Sequence, residues 1–277
     1  MLHESELDTS HGRVNIAQGA SNGPLLILLH GFTNRWQVFL PILPLFEERW
    51  QVLSFDHHGH GRSARLPGNY TAAGFFEDAE TVLDYACKLN RQDQPPVLLG
   101  HSMGGSLALH LAQRYPEEVR AVVTGDTSLD LAIHIQVMSN RRNTRLFGMR
   151  RKLAGRPVDE LIRRGLGVEQ AEEMQQLDPH VMDYHAEGNV AGFFEGLKDV
   201  DFDRIRCPLL LTQANPQKGG LLQDEEIQLV LARHPEFQFQ RFDCGHDLDM
   251  EQGARSPFVM AALTFLEHLR QHENIRF

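Results

Sequence analysis

The chain has 277 residues, 42% of them hydrophobic, with 16 Phe and a formal net charge of −10. It is too apolar and too aromatic for a disordered chain, and its acidic balance argues against a nucleic-acid binder, whose footprint is basic. The three cysteines, Cys87, Cys207 and Cys244, are odd in number and too few for a disulfide framework.

The opening stretch MLHESELDTSHGRV lacks the basic and apolar regions of a secretion signal. No run approaches the roughly 18 consecutive apolar residues of a membrane span. A cytoplasmic, soluble protein is therefore expected, with no nucleic-acid partner and no membrane span. The length suggests one large domain or one and a half.

In chain order, four short apolar runs end in turn residues: 24–31, 51–57, 96–102 and 121–127. Two more follow at 208–214 and 237–244. Continuous rather than alternating apolar strands suit a parallel sheet covered on both faces. Helical patterns separate the runs. Residues 75–90 place Phe75, Ala79, Val82, Leu83 and Ala86 near one face, 103–115 form a second helix, and 257–271 a last one. Strand–helix alternation predicts an α/β fold with a doubly wound, mostly parallel sheet. Residues 127–203 break the pattern, with helical segments at 129–146, 157–166, 169–177 and 191–197 and no convincing strand. They are expected to form a helical cap on a core made of 1–126 and 204–277.

The strongest chemical signal is Gly100-His101-Ser102-Met103-Gly104, a G-x-S-x-G between an apolar run and a helix. That setting is what a nucleophile elbow requires, with a strained turn that exposes the Ser hydroxyl beside a helix N-terminus. Ser102 is the expected nucleophile, and a hydroxyl needs a base. His246, in Asp243-Cys244-Gly245-His246, falls between the last strand and the last helix, where a loop can bring an imidazole over Ser102. Attack on a carbonyl also needs donors for the oxyanion. The backbone N–H groups of Phe32, after Leu29-His30-Gly31, and of Met103 are the candidates, with His30 a structural side chain. The histidine-rich Asp56-His57-His58-Gly59-His60-Gly61-Arg62-Ser63 reads as a compact turn, since no Cys or acid completes a standard metal site. No metal and no cofactor are expected.

Together the HGF at 30–32, the DHHGHGRS at 56–63, the GHSMGG at 100–105 and the GH at 245–246 resemble the α/β-hydrolase family over nearly the whole chain. The resemblance implies a serine hydrolase of the esterase type, with Ser102 as nucleophile and His246 as base. It also implies an acid, commonly placed just after the penultimate strand, where this chain reads Gln213-Ala214-Asn215-Pro216 with no carboxylate. The first acids beyond, Asp224, Glu225 and Glu226, read as charges at a helix start. Some family members carry the acid one strand earlier, and there Asp126 ends Val123-Thr124-Gly125-Asp126. Asp126 is the expected acid, with Asp224 or no acid at all as the alternatives.

From Arg141 to Arg164 nine basic residues face only Asp159 and Glu160, a formal +7. The segment is a solvated helical face, a rim that attracts an anionic small-molecule substrate, or a contact for an acidic partner or membrane surface. Phe147, Met149, Phe193 and Phe194 are among the cap residues that are core or line an acyl pocket. The favoured activity is hydrolysis of a carboxylic ester, thioester or lactone. The alternatives are carbon–carbon bond hydrolysis or a lyase on the same fold, and a ligand-binding protein without turnover. Ser at position 102 argues against epoxide hydrolases and haloalkane dehalogenases, which use Asp there.

Overall fold

The computed structural model describes residues 2–10, 12–68, 70–89 and 94–273. Among these, eight strands form one sheet: β1 (His3–Thr9), β2 (Gly12–Gln18), β3 (Leu25–Leu29), β4 (Gln51–Phe55), β5 (Val97–His101), β6 (Ala121–Gly125), β7 (Leu209–Gln213) and β8 (Gln238–Arg241). The order across the sheet is β1-β2-β4-β3-β5-β6-β7-β8. From β4 to β8 all neighbours are parallel, whereas β2 runs antiparallel to both β1 and β4.

Helices α1 (Leu43–Glu47), α2 (Ala72–Leu89) and α3 (Met103–Arg114) follow β3, β4 and β5. Six short helices separate β6 from β7: α4 (Leu131–Met138), α5 (Arg141–Leu153), α6 (Val158–Arg163), α7 (Val168–Gln175), α8 (Asp183–Ala186) and α9 (Val190–Phe193). Helix α10 (Asp224–Arg233) precedes β8, and α11 (Pro257–Glu273) follows it.

Strands β3 to β7 are buried at every residue. Their side chains alternate between two cores, as a period of two demands. Leu25, Ile27 and Leu29 pack with Phe75, Leu83 and Leu107 of α2 and α3. Leu26 and Leu28 pack with Phe46, Phe258 and Phe265 of α1 and α11. Each such side chain taken from water is worth about 2 kcal/mol.

The chain order also fixes where a site can form. β3 leads to β4 on one side of it, while β5 lies on its other side. Crossovers that diverge in this way leave a crevice at the carboxyl ends of the two strands. Ser102 follows β5, and Phe32 lies just beyond β3.

Three features differ from the sequence expectations. The β1–β2 hairpin is an added edge, and β1 is largely exposed. Its sequence HESELDT has too few apolar residues to announce a strand. The expected helix 129–146 is two helices, because Asn140 caps α5 by accepting from the Asn143 N–H at 2.9 Å. The last apolar run shortens to β8, an edge strand of four residues.

Candidate active site

The elbow is shaped by strain and close approach. Ser102 has φ 54 and ψ −120, a conformation that costs a non-glycine residue on the order of 1–3 kcal/mol. It is held there because the Ser102 N–H donates to the Gly125 carbonyl at 2.8 Å, extending the β5–β6 ladder. A Cβ on Gly104 would stand 2.1 Å from the Leu29 carbonyl oxygen, so only glycine lets α3 approach β3 this closely.

His246 Nε2 lies 3.0 Å from Ser102 Oγ, and its Nδ1 lies 2.6 Å from Asp126 Oδ2. A carboxylate only accepts, so Nδ1 carries the proton and Nε2 of the neutral ring accepts from the Ser102 hydroxyl. Asp126 is fully buried, whereas the His246 side chain is 31% exposed. The imidazole thus has one face anchored in the core and the other open to a ligand.

Asp126 is held by the loop after β7. Its carboxylate accepts from the backbone N–H groups of Ala214 (3.0 Å), Leu221 (2.7 Å) and Leu222 (3.3 Å). A buried charge requires such donors, and here the turn after β7 supplies them. Asp224, the alternative, is bonded instead to Gln213 Nε2 at 2.8 Å and to Arg241 at 3.0 Å at the start of α10. Glu226 forms the capping box with Gln223 that its position suggests, and its carboxylate also accepts from the N–H groups of Leu129 and Asp130.

The loop after β3 passes directly beside Ser102. A Cβ on Gly31 would stand 3.2 Å from Ser102 Cβ and 3.1 Å from His101 Nδ1. Residues 31–34 form a turn closed by the Asn34 N–H to the Gly31 carbonyl at 3.1 Å. Its third residue, Thr33, has φ 80, a position where such turns favour glycine. Phe32 and Met103 therefore flank Ser102. His30 donates from Nδ1 to the Gly31 carbonyl at 2.8 Å and accepts the His57 N–H at Nε2 at 3.2 Å, a structural pairing.

The 56–63 segment is a turn built on Asp56, whose carboxylate accepts from Trp36 N–H (2.8 Å), Asn15 Nδ2 (3.0 Å) and Arg62 N–H (3.1 Å). His58 is paired with Asp78 in the core. Among the described residues no group of three or more His, Cys, Asp or Glu is arranged to hold a metal ion.

Four features were not visible in the sequence. His101, beside Ser102, donates from Nε2 to the His246 carbonyl at 2.9 Å and so ties the loop that carries His246 to β5. Burial, then the neighbouring His246, pushes the His101 imidazole down to about 4, so it is neutral at pH 7. The half-buried His134 of α4 packs on Phe194 with ring centroids 5.1 Å apart, and loss of water and then His246 push its imidazole down to about 4. His185 of α8 is driven down to about 3 by burial, and its ring centroid lies 4.5 Å from that of Phe32.

Of the apolar residues expected to line a pocket, Phe147 and Phe193 pack on Phe32 with ring centroids 5.8 and 5.3 Å away. Met149 is 59% exposed. Four of the nine basic residues meet carboxylates: Arg151 pairs with Asp183, Arg156 and Arg164 with Glu160, and Arg163 with Asp159. Arg150 turns inward instead, to the Thr33 hydroxyl at 2.9 Å.

The profile of the family described as alpha/beta hydrolase fold matches residues 24–188. The chain belongs to this family. Over 116 residues it is 28% identical to the 2-(acetamidomethylene)succinate hydrolase of Mesorhizobium japonicum, covering 42% of this chain and 40% of that protein. Over 134 residues it is 31% identical to the bifunctional epoxide hydrolase 2 of Mus musculus, covering 43% of this chain and 23% of that one. The matches thus span less than half the length of these two curated relatives, both named hydrolases. Among solved structures, that of E-2-(acetamidomethylene)succinate hydrolase superposes with a TM-score of 0.71 at 17% identity, over 96% of this chain and 100% of that one.

Proposed function

We propose that this protein is a serine hydrolase that cleaves a carboxylic ester, thioester or lactone of a small molecule through an acyl-enzyme on Ser102. The observation that carries the reading is the continuous chain from Ser102 Oγ to His246 at 3.0 Å and from His246 to the buried Asp126 at 2.6 Å.

In this reaction Ser102 Oγ attacks the carbonyl carbon and gives its proton to His246 Nε2. The carbonyl oxygen becomes an oxyanion, received by the N–H groups of Phe32 and Met103. The tetrahedral intermediate then collapses, and the leaving group departs with the proton from His246. Water next gives a proton to His246 and attacks the acyl carbon. The second collapse releases the carboxylic acid and returns the proton to Ser102. Asp126 holds the imidazole in the required tautomer and stabilises its charged form. Residues 127–203 act as a cap over the core of 1–126 and 204–277, with Phe147 and Phe193 packed on Phe32.

Ser102 separates this chemistry from routes that need a carboxylate nucleophile. The test is hydrolysis of p-nitrophenyl esters from acetate to laurate by the wild type and by Ser102→Ala. Turnover that disappears in the variant is expected, with an optimum chain length that sizes the acyl site. Turnover that survives in the variant contradicts the assignment.

A further inference from the structure

Three consecutive residues of the loop after β3 are gripped by side chains from the helices between β6 and β7. Arg150 of α5 donates from Nη2 to Thr33 Oγ1 at 2.9 Å. Asn34 donates from Nδ2 to Glu173 Oε1 of α7 at 2.8 Å. The Arg35 guanidinium meets Glu172 at 2.9 Å and Gln176 Oε1 at 2.9 Å.

Thr33 is the strained member of this loop. It is β-branched and 4% exposed, and it has φ 80. Such a conformation persists only where the surroundings over-determine it. Inside the core the turn is closed by Asn34 N–H to the Gly31 carbonyl at 3.1 Å and by the long contact of Thr33 N–H with His60 Nε2 at 3.3 Å. The shorter bond to Thr33 is the charged one from Arg150.

The contact is oriented. Phe147 and Arg150 lie three residues apart and so share one face of α5. Phe147 packs on the Phe32 ring while Arg150 takes the Thr33 hydroxyl. One helix face thus seats both residues of the peptide that follows Gly31.

We propose that Arg150 is a positioning residue: through the Thr33 hydroxyl it holds the 31–34 turn in the conformation that aims the Phe32 N–H at the oxyanion. The inference rests on the assignment of Phe32 as an oxyanion donor. It makes the chemical step depend on α5 being seated on the loop. Arg150 does not touch the reacting atoms. Its loss weakens the transition state and spares ground-state binding.

The test is a cycle of Arg150→Met, Thr33→Val and the double variant, each assayed on the best p-nitrophenyl ester. Either single change is expected to lower kcat by about 10- to 100-fold, the worth of one charge-assisted hydrogen bond, with KM within about threefold of the wild type. In the Thr33→Val background, Arg150→Met should have no further effect, because the shared bond is already gone. Arg150→Lys should recover part of the rate. Effects that multiply in the double variant, or a raised KM at unchanged kcat, would overturn the proposal.

A second readout needs no turnover. Hydrogen exchange of peptides covering residues 30–36 should speed up in both single variants, with the rest of the sheet unchanged. Unchanged exchange there overturns the clamp even if Ser102 proves to be the nucleophile. Faster exchange in a protein that turns over no ester would leave the clamp standing and defeat the hydrolase assignment.

Discussion

The carboxyl ends of β5 and β6 and the helices between β6 and β7 are built in opposite ways. Every residue of β5 and β6 is buried, and just beyond them Ser102 and Asp126 hold positive φ values of 54 and 46 within the sheet's hydrogen bonding. In the helical segment, α4 buries no residue and α5 buries only Phe147. Its ion pairs are exposed, as in Arg163–Asp159 at 68% and 69% side-chain exposure, and such pairs add little stability. Groups that must stand within hydrogen-bond distance of one another sit where the backbone is over-determined. The helical segment reaches the loop after β3 through side chains such as Phe147 on Phe32 and Arg150 on Thr33.

The contrast can be broken at several points. The largest effect is expected from Ser102→Ala or His246→Ala, each lowering kcat by about 10⁶-fold on an activated ester. Asp126→Asn should cost about 10⁴-fold, because an amide favours the wrong imidazole tautomer. The same change puts an amide where three N–H donors converge, so a lowered Tm in a melting experiment should accompany it. A fall in Tm with near-normal turnover would make Asp126 a structural anchor of the β7 loop and not the acid.

His101→Leu removes the bond to the His246 carbonyl and should lower kcat about tenfold, the scale of one hydrogen bond. A rate equal to the wild type would show that the base's loop is held by other contacts.

Acid should destabilise the fold through its buried imidazoles. His101 and His185 are pushed by burial to about 4 and about 3, against about 6.5 in an unfolded chain. Because the folded values are depressed, the unfolded state binds more protons below pH 6.5. The stability these groups contribute is therefore fully present above that pH and falls as pH drops toward 4. Each histidine adds a slope of roughly 1.4 kcal/mol per pH unit. Denaturant melts between pH 7 and 4 measure it, and His101→Leu should reduce the slope. The smallest effect belongs to the helical segment's surface: Arg163→Ala should change stability by less than about 0.5 kcal/mol. A larger loss would mean that the exposed pairs form a cooperating network.

The parallel sheet was legible because β3 to β7 are mostly apolar runs, four of them ending in or followed by Gly, Asp or His. The β1–β2 hairpin was not, since an exposed edge strand needs few apolar residues. That Ser102 and His246 would stand side by side was readable from local motifs. Asp126 followed from the absence of a carboxylate after β7, yet nothing local to Ala214, Leu221 and Leu222 announced that their N–H groups would hold it. The Arg150–Thr33 bond joins residues 117 positions apart. In sequence Arg150 is one of nine cations, and only the fold separates it from the eight others.

The most direct test is the reaction of the folded protein with a fluorophosphonate, followed by intact mass and peptide mapping. A single adduct on Ser102, formed far more slowly in Asp126→Asn, is the predicted result. No adduct on the wild type, or one that persists in Ser102→Ala, would contradict an activated serine at the end of β5.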